Sequence, residues 1–257
     1  MGSSQEGTVW QLSAGKLKSA TEGLWNALGK QGAQVAVQLE ENARFRERAA
    51  RYLIETAPAD HGFAGAVLEQ DLIAPAAVAQ AIGVVYTDDQ RQHFMDTLPT
   101  KAMIYKIYGG RNFMLVAGPP VSLSLSDIIF RYPIDFHQET VRDHWLYSRG
   151  NVGPEWIALR KTEVPGSLCA SWDDAYARLL KGEYVPNAAQ VAWCAVVYKE
   201  VRNVTLLPEV CVRTSSADMR TKRCISVGDS AFGGIQVHER LMDTLGNGVG
   251  LASALIL

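Results

Sequence analysis

The sequence has little excess charge and no long apolar run, and each absence excludes a class of function. Its 257 residues carry 25 basic and 27 acidic side chains, which gives a formal net charge of −2. So balanced a composition lacks the electrostatic attraction that nucleic acids and anionic membranes require. No apolar run approaches the roughly 20 residues that cross a bilayer, and the first residues lack the basic and apolar regions of a secretory signal. We therefore expect a cytoplasmic or virion-associated protein with no nucleic-acid partner and no membrane partner.

Catalytic and metal-binding motifs are also missing. The sequence contains no Gly-x-Ser-x-Gly nucleophile turn and no phosphate-binding loop of the Walker type. The cysteines have no CxxC spacing, which argues against a zinc site, and in a chain this long we expect them to be buried reduced thiols. They are Cys169, Cys194, Cys211 and Cys224. The first interpretation therefore includes no catalytic residue, no metal ligand and no cofactor.

One pair of histidines supports an alternative function. His137 and His144 lie seven residues apart, which is nearly two turns of a helix, and Asp135, Glu139 and Asp143 flank them. On a helix this spacing would bring both imidazoles towards one metal ion. The pair lacks the HExxH spacing that makes such an assignment specific. A metal-dependent hydrolase that uses this region is therefore the alternative to a polar surface segment.

The first 56 residues predict a helical arm. Apolar residues recur at helical spacing over 16–28 and again over 35–53, and glycines at 29 and 32 separate the two segments. In the second segment, acidic and basic side chains occupy the intervals that form ion pairs along a helix face. Such a helix either presents a solvated face or brings copies of the chain together. A structural assembly protein, a homo-oligomer formed through these helices, is a further alternative.

Residues 57–257 predict a mixed α+β domain. Thr87, with Gln90 three residues later, is typical of a capping box that begins a helix over 88–97. Asn187 is a helix cap of the same kind, here for a helix over 188–199. Continuous apolar runs that end in glycine or proline indicate short buried strands. The predicted strands cover residues 113–117, 210–213, 224–227, 235–237 and 249–257, and a polar loop is predicted over 236–248.

Several segments between residues 85 and 257 share the pattern of one family. They are Thr97-Leu-Pro, Val116-Ala-Gly-Pro-Pro-Val-Ser-Leu-Ser-Leu, Trp156-Ile-Ala-Leu-Arg-Lys, Tyr184-Val-Pro-Asn-Ala-Ala-Gln-Val, Tyr198-Lys-Glu-Val-Arg and Val212-Arg-Thr-Ser-Ser. The ending continues the pattern with Val227-Gly228, Gly234-Ile235, Val237 and Gly250-Leu251-Ala252-Ser253-Ala254. The chain resembles a group of uncharacterised bacterial and phage proteins and is similar to the variable proteins of diversity-generating retroelements.

The resemblance implies an α+β protein whose C-terminal domain has a C-type-lectin fold, preceded by the mostly helical N-terminal region. In that family the C-terminal segment, here about residues 228–254, is rewritten by adenine-directed mutagenesis and displayed on a fixed frame. The resemblance assigns the frame to Val227, Gly228, Ile235, Val237, Gly250, Ala252 and Ala254. It assigns ligand binding to Gln236, His238, Glu239, Arg240, Met242, Thr244 and Asn247.

The residues themselves give this segment a physical rationale. Small and apolar residues flank a polar stretch whose side chains follow no periodic pattern, so the polar positions can change without unfolding the core. Loops that a rigid frame supports are where proteins usually place binding specificity. We therefore predict a non-enzymatic ligand-binding protein, a receptor or display protein, whose ligand is a protein or a glycan.

Overall fold

The structure is a computed structural model, and it describes residues 29–56, 59–109, 112–137, 145–229, 234–243, 246 and 248–257. Contacts divide the chain into two units, Met1–Glu55 and Thr56–Leu257. No helix within these ranges is long and apolar enough to cross a membrane.

The N-terminal helical segment is interrupted at Asn42. Helix α1 covers Gly32–Glu41 and helix α2 covers Ala43–Thr56. Asn42 has an extended backbone with φ −116° and ψ 100°, and its side-chain oxygen accepts a hydrogen bond from the Phe45 N–H at 3.0 Å. An asparagine that caps the following helix in this way competes with continued helix. One continuous helix over 35–53 was the sequence prediction, so the break is a correction; the helix predicted over 16–28 lies outside the described residues.

Seven α-helices are described in the second unit. They are α3 (His61–Leu68), α4 (Pro75–Ile82), α5 (Asp88–Asp96), α6 (Lys101–Tyr108), α7 (Leu125–Arg131), α8 (Trp172–Tyr176) and α9 (Ala188–Arg202). Thr87 and Gln90 form the predicted capping box at the start of α5, and Asn187 forms one with Gln190 at the start of α9. Each box satisfies two backbone N–H groups that the first helical turn leaves without partners. These caps fix where both helices begin.

The described strands of this unit form three sheets. They are β1 (Leu72–Ile73), β2 (Phe113–Ala117), β3 (Leu123–Ser124), β4 (Asn151–Val152), β5 (Trp156–Arg160), β6 (Glu183–Tyr184), β7 (Cys211–Asp218), β8 (Arg223–Asp229), β9 (Ile235–Leu241), β10 (Val249–Leu251) and β11 (Ala254–Leu255). The strand orders are β1-β2-β5-β11-β6, β10-β7-β8-β9 and β3-β4. The α+β class is therefore confirmed, and the strand predicted over 249–257 is divided between two sheets.

Helix α9 is the centre of the core. Ten successive residues, 188–197, are buried, and the helix contacts β5 of the five-stranded sheet and β7, β8 and β9 of the four-stranded sheet. A helix that is apolar on all sides is stable only when it is surrounded by protein. Trp193 is fully buried, and its indole N–H donates to the Ala117 carbonyl oxygen at 3.0 Å. This bond links the helix to β2.

A buried ion pair fixes the C-terminal strand in the five-stranded sheet. Arg160 on β5 donates to Glu183 on β6 at 2.9 Å and to the Ser253 hydroxyl at 3.1 Å. Its guanidinium also lies 4.5 Å from the centroid of the Phe113 ring. Buried charges are stable only where hydrogen bonds and opposite charges replace water. These contacts join β5, β6 and the residue that precedes β11.

Candidate ligand-binding surface

Strand β9 contains four of the predicted ligand-binding residues, and its two faces differ. Ile235 and Val237 are buried against the core, whereas Gln236, His238 and Arg240 are partly exposed. Side chains on a strand alternate between the two faces of the sheet. The three polar residues therefore share the face that is turned away from the core. Residues 235–241 form a strand, so the prediction of a loop over 236–248 is wrong in this part.

Polar contacts connect the side chains on this outward face, which we define as Ser226, Gln236, His238 and Arg240. His238 Nε2 lies 3.1 Å from Gln236 Oε1, and Arg240 Nε donates to the Ser226 hydroxyl at 3.1 Å. The Ser226 hydroxyl in turn donates to the His238 carbonyl oxygen at 3.2 Å. In the pairing of β8 with β9, Ser226 lies opposite His238 and Cys224 opposite Arg240. Ser226 itself is buried, so the exposed part of this face consists of the β9 side chains, which Ser226 supports from β8.

Glu239 belongs to the opposite face. It lies between His238 and Arg240 on β9, so alternation turns its side chain to the other side of the sheet. There its carboxylate lies 3.1 Å from the Arg223 guanidinium. The resemblance grouped Glu239 with the other binding residues, and it took no account of the alternation along a strand. The structure separates it from the outward face.

Met242 does not belong to an exposed surface. Its side chain is 1% exposed. Its N–H donates to the Lys222 carbonyl oxygen at 2.8 Å, which continues the contact between the ends of β8 and β9. Its assignment as a displayed residue was wrong, because its apolar side chain is buried at the end of the strand. Thr244 and Asn247, the other two predicted binding residues, lie outside the described residues.

A buried arginine holds the chain on both sides of residues 243–249. Arg213 on β7 is 0% exposed, and its guanidinium donates to the carbonyl oxygens of Met242 at 2.7 Å and Gly250 at 3.2 Å. It also reaches the carbonyl oxygens of Ala170 at 3.0 Å and Ser167 at 3.5 Å. Burial lowers the pKa of Arg213. Arg213 lies in the segment Val212-Arg-Thr-Ser-Ser that carries part of the resemblance, but no role was predicted for it, because an arginine in a strand gives no sign of its burial.

The frame glycines predicted by the resemblance lie where two chain segments approach closely. A Cβ on Gly228 would overlap the Val210 carbonyl oxygen and lie 2.5 Å from the Cys211 Cα. A Cβ on Gly250 would lie 2.5 Å from the Glu163 Cβ. Only glycine fits backbone contacts this close. Of the other predicted frame residues, Val227, Ile235, Val237, Ala252 and Ala254 are all buried.

The cysteines are all free thiols, and three of them are buried. Burial raises the pKa of Cys224 to about 11 and also raises the pKa of Cys211, although Arg240 opposes the second shift. The pKa of Cys194 is raised by burial in helix α9. Cys169 is exposed, which corrects the prediction that every cysteine is buried. Raised pKa values keep the buried thiols protonated and therefore poor nucleophiles.

The histidine segment lies beside the start of β9. The His137 N–H donates to the Ile235 carbonyl oxygen at 2.9 Å, and Phe136 forms an isolated bridge with Ile235. Asp135 is buried and accepts a hydrogen bond from Lys199 at 2.8 Å. Within the described part of the chain no three histidine, cysteine or acidic side chains lie close enough to hold a metal ion. Glu139, Asp143 and His144 lie outside it, so the metal-dependent hydrolase stays an untested alternative.

The exposed part of the outward face, Gln236, His238 and Arg240 on β9, is thus a polar surface on a buried frame, and a segment that Arg213 anchors borders it. Gln236 and His238 offer hydrogen-bonding groups to a ligand, and Arg240 adds one guanidinium charge. Comparison with protein-family models, with curated proteins and with solved structures finds no match for this chain.

Proposed function

We propose that the protein is a non-enzymatic ligand-binding protein whose C-terminal domain is of the C-type-lectin type. The outward face of β8 and β9 is its binding surface, and the ligand is a protein or a glycan. Gln236, His238 and Arg240 provide the contacts. The observation that supports this proposal best is the alternation along β9, where buried Ile235 and Val237 alternate with these partly exposed polar residues.

The alternation matters because it separates stability from recognition. Ile235 and Val237 bury apolar side chains against the core, and this burial stabilises the strand by about 1.5–3 kcal/mol for each side chain. The three polar residues on the other face make contacts among themselves and with Ser226, and these contacts add little to the core. Exchanging them changes what the surface binds and leaves the frame intact. A diversified protein requires this property.

The fixed contacts around residues 243–249 support the same proposal. Arg213 binds the backbone carbonyl groups at Met242 and Gly250, and Gly228 admits the close approach of β7. Backbone acceptors are present whatever side chains the intervening residues carry. The segment can therefore vary in sequence while its two ends remain in place.

A triple alanine variant of the full chain tests the surface. Ligands are first selected with the wild-type protein from a printed glycan array and from a phage-displayed peptide library. Gln236→Ala, His238→Ala and Arg240→Ala together should abolish binding of the selected ligand and leave the melting temperature almost unchanged. The matched control replaces the same three residue types on the exposed side of α5: Arg91→Ala, Gln92→Ala and His93→Ala. A surface variant that unfolds, or one that still binds, would refute the proposal.

The proposed diversification has its own test. Sequencing the DNA beside the gene should reveal a near-copy of the stretch that encodes residues 228–254, differing at adenines, together with a reverse transcriptase gene. If neither is present, the diversification is excluded and only the binding surface remains to be tested by the triple variant.

A further inference from the structure

Hydrogen bonds fix the turn that joins β7 to β8, and its charged side chains, Arg220 and Lys222, are exposed to solvent. Asp218, which is buried, accepts hydrogen bonds from the Arg220 N–H at 3.0 Å and from the Thr221 hydroxyl at 2.9 Å. The Lys222 carbonyl oxygen accepts from the Met242 N–H at 2.8 Å. These bonds fix the backbone of the turn, so the exposed side chains of Arg220 and Lys222 extend from a defined position.

Three exposed cations lie around this turn, and the described carboxylates beside them, Asp218 and Glu239, are held by the turn and by Arg223. Arg149 donates to the Ala217 carbonyl oxygen at 3.0 Å, which places a third exposed cation beside Arg220 and Lys222. None of the three forms an ion pair with a described acidic residue. The oxygens of Asp218 are occupied by the turn itself. A chain with a formal net charge of −2 therefore has a locally basic surface here.

Large apolar side chains are exposed among these cations. Met219 in the turn is 60% exposed, Leu241 at the end of β9 is 53% exposed, and Trp145 is 50% exposed. The register pairs Leu241 with Arg223 at the start of β8, so both lie at the turn end of the sheet. The Trp145 ring lies 4.8 Å from the Arg149 guanidinium, and its 3-10 turn packs on β7 and β8. Tryptophan, methionine and arginine are the residue types enriched in protein interfaces.

We propose that this hairpin-end surface, formed by Trp145, Arg149, Met219, Arg220, Lys222 and Leu241, docks an acidic surface of a partner protein. Charge complementarity selects the partner, because three cations without carboxylate partners attract acidic side chains and repel basic ones. The exposed tryptophan, methionine and leucine require apolar contacts, which a phosphate backbone does not provide. A polypeptide that carries both acidic and apolar side chains meets both requirements.

The hairpin-end surface shares no residue with the outward face. Gln236, His238 and Arg240 bind the ligand in the proposed function, whereas the cations of the hairpin end lie in the turn and on the segment before β4. The protein therefore has two separate contact regions, one for the ligand and one for an acidic partner. Failure of either proposal leaves the other intact, because different variants test them.

Binding of a labelled acidic peptide to the full chain tests the docking. The probe is a peptide of glutamate interspersed with leucine, and fluorescence anisotropy measures its affinity. We expect binding that weakens as salt is added, because exposed charges are screened within about one Debye length. Arg220→Glu with Lys222→Glu should weaken it by about tenfold or more, as should Met219→Ser with Leu241→Ser. Lys181→Glu, an exposed cation beside β6, is the matched control and should bind as wild type does.

Other probes identify the outcomes that would overturn the proposal. The same peptide with glutamine in place of glutamate should not bind; equal affinity would show that charge plays no part. Tighter binding of a single-stranded DNA oligonucleotide, or of vesicles that contain phosphatidylserine, would assign the surface to nucleic acid or membrane. Failure of the acidic peptide to bind would also overturn it. The triple alanine variant of the outward face should bind the acidic peptide normally, which separates this test from the previous one.

Discussion

The guanidinium of Arg213 and the carbonyl oxygen of Met242 lie 2.7 Å apart in the interior of the C-terminal unit. The same side chain donates to the Gly250 carbonyl oxygen at 3.2 Å. One residue on β7 thus holds the chain on both sides of residues 243–249 through their backbone. This anchor depends on no side chain of the segment, which makes it compatible with a segment of changing sequence.

Replacing Arg213 should therefore loosen this segment and destabilise the domain. Arg213→Met leaves the four carbonyl groups without their donor, and we expect the free energy of unfolding to fall by about 3 kcal/mol or more. Arg213→Lys keeps the charge but cannot reach as many acceptors, so an intermediate loss is expected. Urea unfolding measures the loss, and hydrogen exchange at residues 248–250 reports the loosening. Arg178→Lys at an exposed position should have no effect on either; an unchanged Arg213→Met protein would contradict the anchoring role.

Adding one methyl group at Gly228 should be severely destabilising. In Gly228→Ala the new Cβ overlaps the Val210 carbonyl oxygen, so β7 and β8 must separate. We expect a loss of about 2 kcal/mol or more in the free energy of unfolding. Gly65→Ala in α3 is the control: nothing lies within 4 Å of its Cβ, and the better helix propensity should stabilise by about 0.5–1 kcal/mol. Thermal melting of both variants compares the two effects, and similar melting temperatures would show that the close approach is unimportant.

Thiol chemistry should distinguish Cys169 from the other cysteines. Cys169 is exposed, whereas burial raises the pKa values of Cys194, Cys211 and Cys224 and excludes reagent from them. A disulfide reagent at about pH 8 should therefore react rapidly with one thiol in the native protein. All four should react after denaturation. Cys169→Ser should remove the rapid phase alone, and rapid labelling that persists in this variant would contradict the burial of the other three.

Acid should destabilise the turn between β7 and β8. The Thr221 hydroxyl and the Arg220 N–H hold the pKa of Asp218 below its usual value of 3.8. Because the folded pKa is depressed, the unfolded chain takes up a proton first, so this contribution is present above pH 3.8 and is lost as pH falls through the folded value. Asp218→Asn should therefore flatten the dependence of the unfolding free energy on pH in this range. If Asp218→Asn leaves the pH dependence unchanged, the role of Asp218 is refuted.

Local sequence signals predicted much of the helical structure. The boxes at Thr87 and Asn187 depend on residues three positions apart, so their hydrogen bonds form from neighbouring residues alone. The apolar run over 113–117 likewise forms a strand whose residues are all buried. The break at Asn42 was missed because helical periodicity continues on both sides of it. These successes and this error all concern interactions within one turn or one strand.

The candidate site could not be predicted in the same way, because its geometry depends on contacts between residues that are far apart in the sequence. A strand was predicted only over 235–237, because the polar side chains of residues 238–241 show no strict alternation, and pairing with β8 extends the strand to residue 241. Met242 is buried and its N–H bonds to Lys222, which is 20 residues away, and Arg213 donates to carbonyl groups up to 46 residues away. The contact of His137 with Ile235 also joins two segments that the sequence treats as separate. Tertiary pairing decided each of these outcomes.

Strand β11 occupies an interior place in the five-stranded sheet, between β5 and β6, although its residues, 254 and 255, are synthesised after all the other strands. During translation the backbone groups of β5 and β6 that pair with β11 therefore stay unpaired until residues 254 and 255 leave the ribosome. Such edges pair readily with other chains. A nascent copy of this protein should thus depend on chaperones until residues 254 and 255 have emerged and paired.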